Sequence, residues 1–260
     1  MRDKVRVGVF DSGVGGLSVT KSLLQNTLFD EIIYYGDTAK VPYGTRDKNT
    51  ITRYSLEALE FLKNFNIQML IVACNTVSAQ AIDEMQKNAS FDVVGVIKPG
   101  VLATTNTLSN KDASILVLGT KSTINSGIYQ NLLKQNGFKN IEALAPSLFV
   151  PIVEEGIFEG EILKSTMNYY FKNIKKSPDA IILGCTHFPL ISKALQEYFP
   201  TSKLIHSGEA MVEYLQTQFN LKSKNTKTEL TILASADVEA VKKTAGIWLE
   251  NKKIKADNYQ

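Results

Sequence analysis

The sequence predicts an α/β protein of two similar domains, each with a mostly parallel sheet, related by a pseudo-twofold axis and facing each other across a cleft. Three observations carry this expectation. Short runs rich in Val, Ile and Leu alternate with stretches of helical period along the chain, the pattern of strand, crossover helix and parallel strand. Two of those runs end alike, Ile71-Val72-Ala73-Cys74-Asn75-Thr76 and Ile181-Ile182-Leu183-Gly184-Cys185-Thr186-His187, each at a cysteine followed by a polar turn. Finally, Asp11 and Thr120 follow apolar runs at glycine-containing turns 109 residues apart, while Cys74 and Cys185 lie 111 apart, a coarse internal repetition.

The elements follow in order. Val5 to Phe10 reads as a buried strand, and Asp11-Ser12-Gly13-Val14-Gly15-Gly16 as a glycine-rich turn into a helix through Leu17, Val19, Leu23 and Leu24. Ile32 to Tyr35 is the next strand, and the Pro- and Gly-punctuated segment from Gly36 to Gly44 is a loop. Leu56, Leu59, Leu62 and Phe65 recur at helical spacing before the Cys74 strand, after which one helix is expected to about Lys87. Val93 to Ile97 reads as a strand and Pro99-Gly100 as a helix start. The pattern then restarts: a strand from Ile115 to Leu118, a helix, a short strand near Ile141, and a helical stretch after Ser147. Ala180 to Leu183 is the Cys185 strand, with Pro189 in the first helical turn behind it. Leu204-Ile205 is a strand, Ser207 an expected helix cap, and Leu230 to Leu233 a strand before a terminal helix. With the chain crossing near Lys98 and returning near Ser207, residues 1–97 plus 208–260 are expected to form the first domain, carrying Asp11 and Cys74. Residues 98–207 form the second, carrying Thr120, Glu154, Cys185 and His187.

Composition narrows the classes. Hydrophobic residues at 44% and charged residues at 21% fit a folded globular protein rather than a disordered one. The net charge is only +3 and lysines are scattered, with short groupings such as Lys172 to Lys176 and Lys252-Lys253. They read as solvated surface, so no nucleic-acid partner is expected. The first strand begins within five residues, which leaves no signal peptide or regulatory extension in the expectation. No stretch approaches the roughly 20 apolar residues that span a bilayer, so the expectation is a cytoplasmic protein without a membrane partner. Two cysteines in a reducing compartment are too few for a structural zinc site and no disulfide is expected.

The carboxyl ends of parallel strands are where α/β sheets bind ligands. A thiol has a reference pKa of about 8.5, so both protonation states are accessible, and a helix N-terminus or a cation lowers it further. Two thiols at matching positions of two related halves suit a reaction that removes a proton from a carbon beside a carboxylate on one face and returns one on the other. His187 and Asp11 are candidate proton-handling helpers. A lone cysteine at a strand end is ordinarily an inert core residue; two in matching contexts argue otherwise. Sharper motifs fail. Asp11 to Gly16 is not G-x-G-x-x-G, and Gly119-Thr120-Lys121-Ser122 lacks the upstream glycine of a P-loop. Neither cysteine begins a Cys-x5-Arg loop, since Gln80 and Ile191 stand there. His206 reads as structural or surface, and Glu154-Glu155 as a solvated pair.

Six motifs in order, Val9 to Gly16, Tyr35-Gly36-Asp37, Val41-Pro42-Tyr43-Gly44, Ala73 to Thr76, Leu118-Gly119-Thr120 and Gly184 to Pro189, resemble the glutamate racemases of the cofactor-independent aspartate/glutamate racemase superfamily, nearly end to end. The resemblance implies interconversion of L- and D-glutamate without pyridoxal phosphate or metal, supplying D-glutamate for peptidoglycan. It implies that Cys74 exchanges a proton with D-glutamate and Cys185 with L-glutamate, with Asp11 assisting Cys74, His187 assisting Cys185, and Glu154 near the second pair. Ser12, Tyr43, Gly44, Asn75, Thr76, Thr120 and Thr186, with Asp11 and His187, would hold the substrate. The Ser147 to Pro151 segment with Glu154 behind it is similar to the epsilon-proteobacterial branch, which implies a homodimer. One departure is Lys98, where the family usually has Glu before the proline.

Aspartate racemisation differs by one methylene, worth only about 1–3 kcal/mol in a pocket. A two-domain amino-acid binding protein with packing cysteines is the alternative from another class. A thiol redox protein has no Cys-x-x-Cys to support it.

Overall fold

The computed structural model describes residues 5–223 and 227–249 and the backbone of 255–258; Lys252-Lys253 lies outside the described residues. The strands are β1 (Arg6–Asp11), β2 (Glu31–Gly36), β3 (Met69–Val72), β4 (Asp92–Gly95), β5 (Ser114–Gly119), β6 (Asn140–Leu144), β7 (Ala180–Gly184), β8 (Lys203–Ile205), β9 (Glu229–Ala234) and β10 (Lys255–Asn258). They form two sheets, ordered β10-β9-β2-β1-β3-β4 and β6-β5-β7-β8. All the pairings described are parallel. With β9 and β10 set aside, each sheet has the order second, first, third, fourth strand, so the repetition in the sequence is a repetition of topology.

The helices are α1 (Leu17–Asn26), α2 (Lys48–Lys63), α3 (Asn75–Gln80), α4 (Ile82–Asn88), α5 (Ile97–Thr107), α6 (Lys121–Asn125), α7 (Ile128–Gln135), α8 (Phe149–Glu154), α9 (Glu161–Phe171), α10 (Ser192–Tyr198), α11 (Ser207–Gln218) and α12 (Val238–Trp248). The sequence supplies local reasons for several. Asp47 caps α2 by accepting from the Thr50 amide at 3.0 Å, and Ile51, Ala58, Leu59 and Leu62 form its buried stripe. Thr120 caps α6 through the Thr123 amide. The chain passes between sheets in α5 and returns in α11, and these two helices pack on each other.

The strands are continuous apolar runs because both faces of each sheet are covered. Alternate side chains still go to opposite sides. Val7, Val9, Met69 and Ile71 join Leu116, Leu118, Ile181 and Leu183 in one core that serves both sheets. Phe10, Leu70 and Val72 face a second cluster under α2, and Ile115, Val117 and Ile182 a third under α7. The two halves are therefore fused through a shared apolar interior.

The structure corrects several expectations. The helix after Cys74 is two, α3 and α4, separated at Ala81. At this break the Gln80 amide group reaches Ser122 in the second half, while Met85 buries itself in the first. β4 stops at Gly95 because the Val96 amide leaves the ladder to donate to Ser78 Oγ at 3.2 Å, and the helix begins at Ile97 with Pro99 inside its first turn. The stretch after Ser147 is divided by Gly156 and Gly160, whose φ values of 76° and 96° only glycine adopts readily. Ser207 does not cap its helix. It is the first residue of α11, and its hydroxyl donates to the Leu183 carbonyl at 3.2 Å, pinning the returning helix to the Cys185 strand. β10 was not expected, since Lys255-Ala256-Asp257-Asn258 carries no apolar run.

Phe149 opens α8 and is fully buried, its ring meeting Tyr170, Phe171 and Phe188 edge-on at centroid distances of 5.6, 5.9 and 5.7 Å. Phe149→Ala should cost about 3–5 kcal/mol, read as a lowered urea midpoint at unchanged slope.

Candidate active site

Two strand ends from each half converge. β1 delivers Asp11, which is fully buried; its Oδ2 accepts from the Gly13 amide at 3.0 Å and its Oδ1 from the Thr186 hydroxyl of the other half at 3.4 Å. β3, paired with β1, ends two residues before Cys74, which flanks the start of α3 and lies 3.5 Å from Ser12 Oγ. β5 delivers Thr120, whose hydroxyl is 2.9 Å from that of Thr76 and 3.0 Å from that of Thr123. From β7 come Cys185 and His187. The Cys185 sulfur is 3.8 Å from His187 Nδ1, and Nε2 of the same ring is 3.2 Å from Glu154 Oε1 at the end of α8.

These groups enclose one cavity of about 50 Å³. Ser12, Tyr43, Cys74, Asn75, Thr76, Thr120, Glu154, Cys185, Thr186 and His187 all line it, so ten of the twelve residues singled out in the sequence meet there. Asp11 and Gly44 stand behind the lining: Asp11 under Thr186, and Gly44 against Thr120, its carbonyl accepting from the Ser122 amide at 3.1 Å. The Tyr43 hydroxyl is already committed to the buried Asp37 carboxylate at 2.7 Å. Sequence reasoning missed Val150, Val41 and Pro42, which also line the cavity, and Trp248, whose ring stands edge-on to His187 at 6.0 Å. Val150, Val41 and Pro42 lay inside motifs already singled out; Trp248 gave no local signal.

The glycine-rich turn after β1 serves close approach between halves. A Cβ on Gly15 would collide with Thr186 Oγ1 and lie 2.8 Å from His187 Nδ1. Ser18 in α1 also donates to the Thr186 carbonyl at 2.9 Å.

The two thiols have different surroundings. Burial pushes the Cys74 thiol up to about 12, the Asp11 carboxylate adding to the effect, while Ser12 and the Val77 amide oppose it. Cys185 was expected to precede a helix N-terminus as Cys74 does. A short 3₁₀ turn, Phe188–Ile191, follows it instead, and its neighbour is an imidazole. Burial disfavours the His187 cation, but the Cys185 sulfur and the Glu154 carboxylate outweigh it and hold the ring at about 10. Burial raises Asp11 above the ordinary carboxylate range, with His187, the Gly13 and Gly16 amides and Thr186 opposing.

The Asp/Glu/hydantoin racemase family matches residues 7–215. Glutamate racemases of Nitratiruptor sp. and Campylobacter jejuni are each 58% identical to the chain, over 95% and 94% of it and 97% and 98% of their own lengths. The chain belongs to the glutamate racemase family. Among solved structures, the crystal structure of the glutamate racemase from Campylobacter jejuni superposes with a TM-score of 0.94 at 57% identity, covering 96% of this chain and all of that one. That of Francisella tularensis in complex with D-glutamate gives 0.87 at 30%, covering 99% and 98%. The aspartate racemase of Picrophilus torridus, at 16% identity and a TM-score of 0.60, shares the fold alone.

His187 has a folded pKa far above its unfolded value of about 6.5, so the stability it contributes is complete below that pH and is lost as pH rises through about 10. Glu154→Gln removes one of the two charges that raise it. An NMR titration of the imidazole should show a lower midpoint in the variant than in the wild type, and the pH range over which His187 stabilises the fold should contract from its alkaline end.

Proposed function

We propose that the protein interconverts L- and D-glutamate by passing the α-proton between Cys74 and Cys185, supplying D-glutamate for peptidoglycan. The observation that carries this reading is that both sulfurs line a single small cavity, each backed by its own polar neighbour. In the L to D direction the Cys185 thiolate takes the α-proton, the freed electron pair spreads into the substrate carboxylate, and the Cys74 thiol protonates the opposite face. Cys185 ends as thiol and Cys74 as thiolate, the state that accepts D-glutamate. With the cleft empty, burial favours the Cys74 thiol, and the raised pKa of His187 favours its cation beside the Cys185 sulfur. Asp11 and His187 then serve to reset the two sulfurs between turnovers.

The Asn75 amide and the hydroxyls of Ser12, Thr76, Thr120 and Thr186 are the groups assigned to the substrate ammonium and carboxylates, all but Ser12 and Thr120 of them buried in the lining. Residues 1–97 with 208–260 are taken as one domain and 98–207 as the other, supported by the membership of the two sheets. A homodimer in the cytoplasm is part of the same reading. No helix among the described residues is long and apolar enough to cross a membrane. The exposed Leu148, Ile162 and Tyr169 of the α8–α9 region give apolar surface for a second copy to cover.

In deuterated water, L-glutamate should lose optical rotation while the D-enantiomer appears with deuterium at the α-carbon. Cys74→Ala and Cys185→Ala should each slow racemisation by about 100-fold or more. Full activity surviving either replacement would refute the two-thiol assignment.

A further inference from the structure

Asn75 is 2% exposed, lines the cavity, and its Nδ2 is a buried donor with no hydrogen-bond partner among the described residues. Such a donor costs free energy unless something arrives to accept from it. The other end of the same amide is fully committed. Tyr129 in α7 donates its phenol to Asn75 Oδ1 at 2.7 Å, the one hydrogen bond of that hydroxyl among the described residues.

An asparagine amide fits its site in two orientations that differ only in which end is oxygen. A phenol that must donate selects the one that offers oxygen. Tyr129 is itself held. It is fully buried, a Cβ on Gly184 would lie 3.2 Å from its Cε2, and a Cβ on Gly100 3.4 Å from its hydroxyl oxygen. The ring is therefore wedged between the crossover helix α5 and the strand end that carries Cys185. Burial, with Cys185 adding, raises the phenol far above its ordinary range, so it remains a donor at any working pH.

We propose that Tyr129 is a positioning residue for substrate binding: its phenol fixes the Asn75 amide so that Nδ2, and not Oδ1, faces the cleft and donates to a substrate carboxylate. The assignment rests on the racemase reading above. Without the phenol the amide turns freely, and its oxygen end repels the same carboxylate. The contact forms on binding, in the ground state, so its loss raises KM.

Tyr129→Phe removes only the hydroxyl. KM should rise about 10-fold or more for both enantiomers, with kcat held within about threefold. In an Asn75→Ala background the same change should add nothing further to KM, because the amide it orients is gone. An unchanged KM, a fall in kcat at constant KM, or additive effects of the two substitutions would overturn the assignment. Absence of racemisation by the wild type in the same assay would instead overturn the functional reading. If Tyr129→Phe does not fold, the wild-type protein carries the test. The Asn75 side-chain amide proton resonances, identified by their loss in Asn75→Ala, should shift on saturation with glutamate, and resonances that stay in place would sink the proposal.

Discussion

The structure depends on one apolar core shared by two sheets. Val9 and Ile71 from one and Leu116 and Ile181 from the other lie in a single buried cluster, so the strands that carry the site are held on either side of common packing. Each sheet sends its first and third strands to adjacent positions, and in parallel sheets those strands end together. Four strand ends thus meet across a cleft, and they bring Asp11, Cys74, Thr120 and Cys185 with them. The close contact at the rim is possible because Gly15 offers no side chain to Thr186 and His187.

A repeated scaffold has here been given unequal chemistry. Cys74 lies against a hydroxyl and, behind it, a buried carboxylate, and burial keeps its proton on. Cys185 lies against an imidazole whose pKa is raised by the Cys185 sulfur and the Glu154 carboxylate. The inequality cannot favour either product. The equilibrium constant between enantiomers is one, so kcat/KM must be equal in both directions at any pH. What the unequal thiols set is the form of the empty enzyme, and hence how kcat and KM divide within that fixed ratio.

Much of this was legible in the sequence because periodicity and strand-end chemistry are local signals. Two apolar runs ending at cysteines placed both thiols, and ten of twelve named residues line one cavity. Where the reading failed, longer-range contacts decided. Ser207 looked like a cap because serine before a helical pattern usually is one; its hydroxyl is instead drawn to the Leu183 carbonyl across the sheet. β4 ended early because Ser78, eighteen residues upstream, takes the Val96 amide. β10 has four residues with no apolar pattern, and its backbone pairs in parallel with β9. Tyr129 and Trp248 belong to ordinary amphipathic helices, and nothing in their neighbours in the chain tells that one reaches Asn75 and the other His187.

Much of the cavity's lining is buried: Cys74, Asn75, Thr76, Cys185, Thr186 and His187 each expose less than a tenth of their surface. A parting of its walls would widen the way in for glutamate. Polar contacts across the cleft include the Thr76–Thr120 hydroxyl pair, the Thr186–Asp11 bond, Ser18 on the Thr186 carbonyl, the Ser122 amide on the Gly44 carbonyl, Gln80 on Ser122 and Tyr129 on Asn75. Each is worth about 0.5–1.5 kcal/mol net, because water replaces the lost partner when the cleft opens. The shared core is apolar, and parting it would expose side chains worth about 1.5–3 kcal/mol apiece. Group for group, separation at the polar contacts is therefore cheaper than separation at the shared core, which packs the strands that lead to the two cysteines.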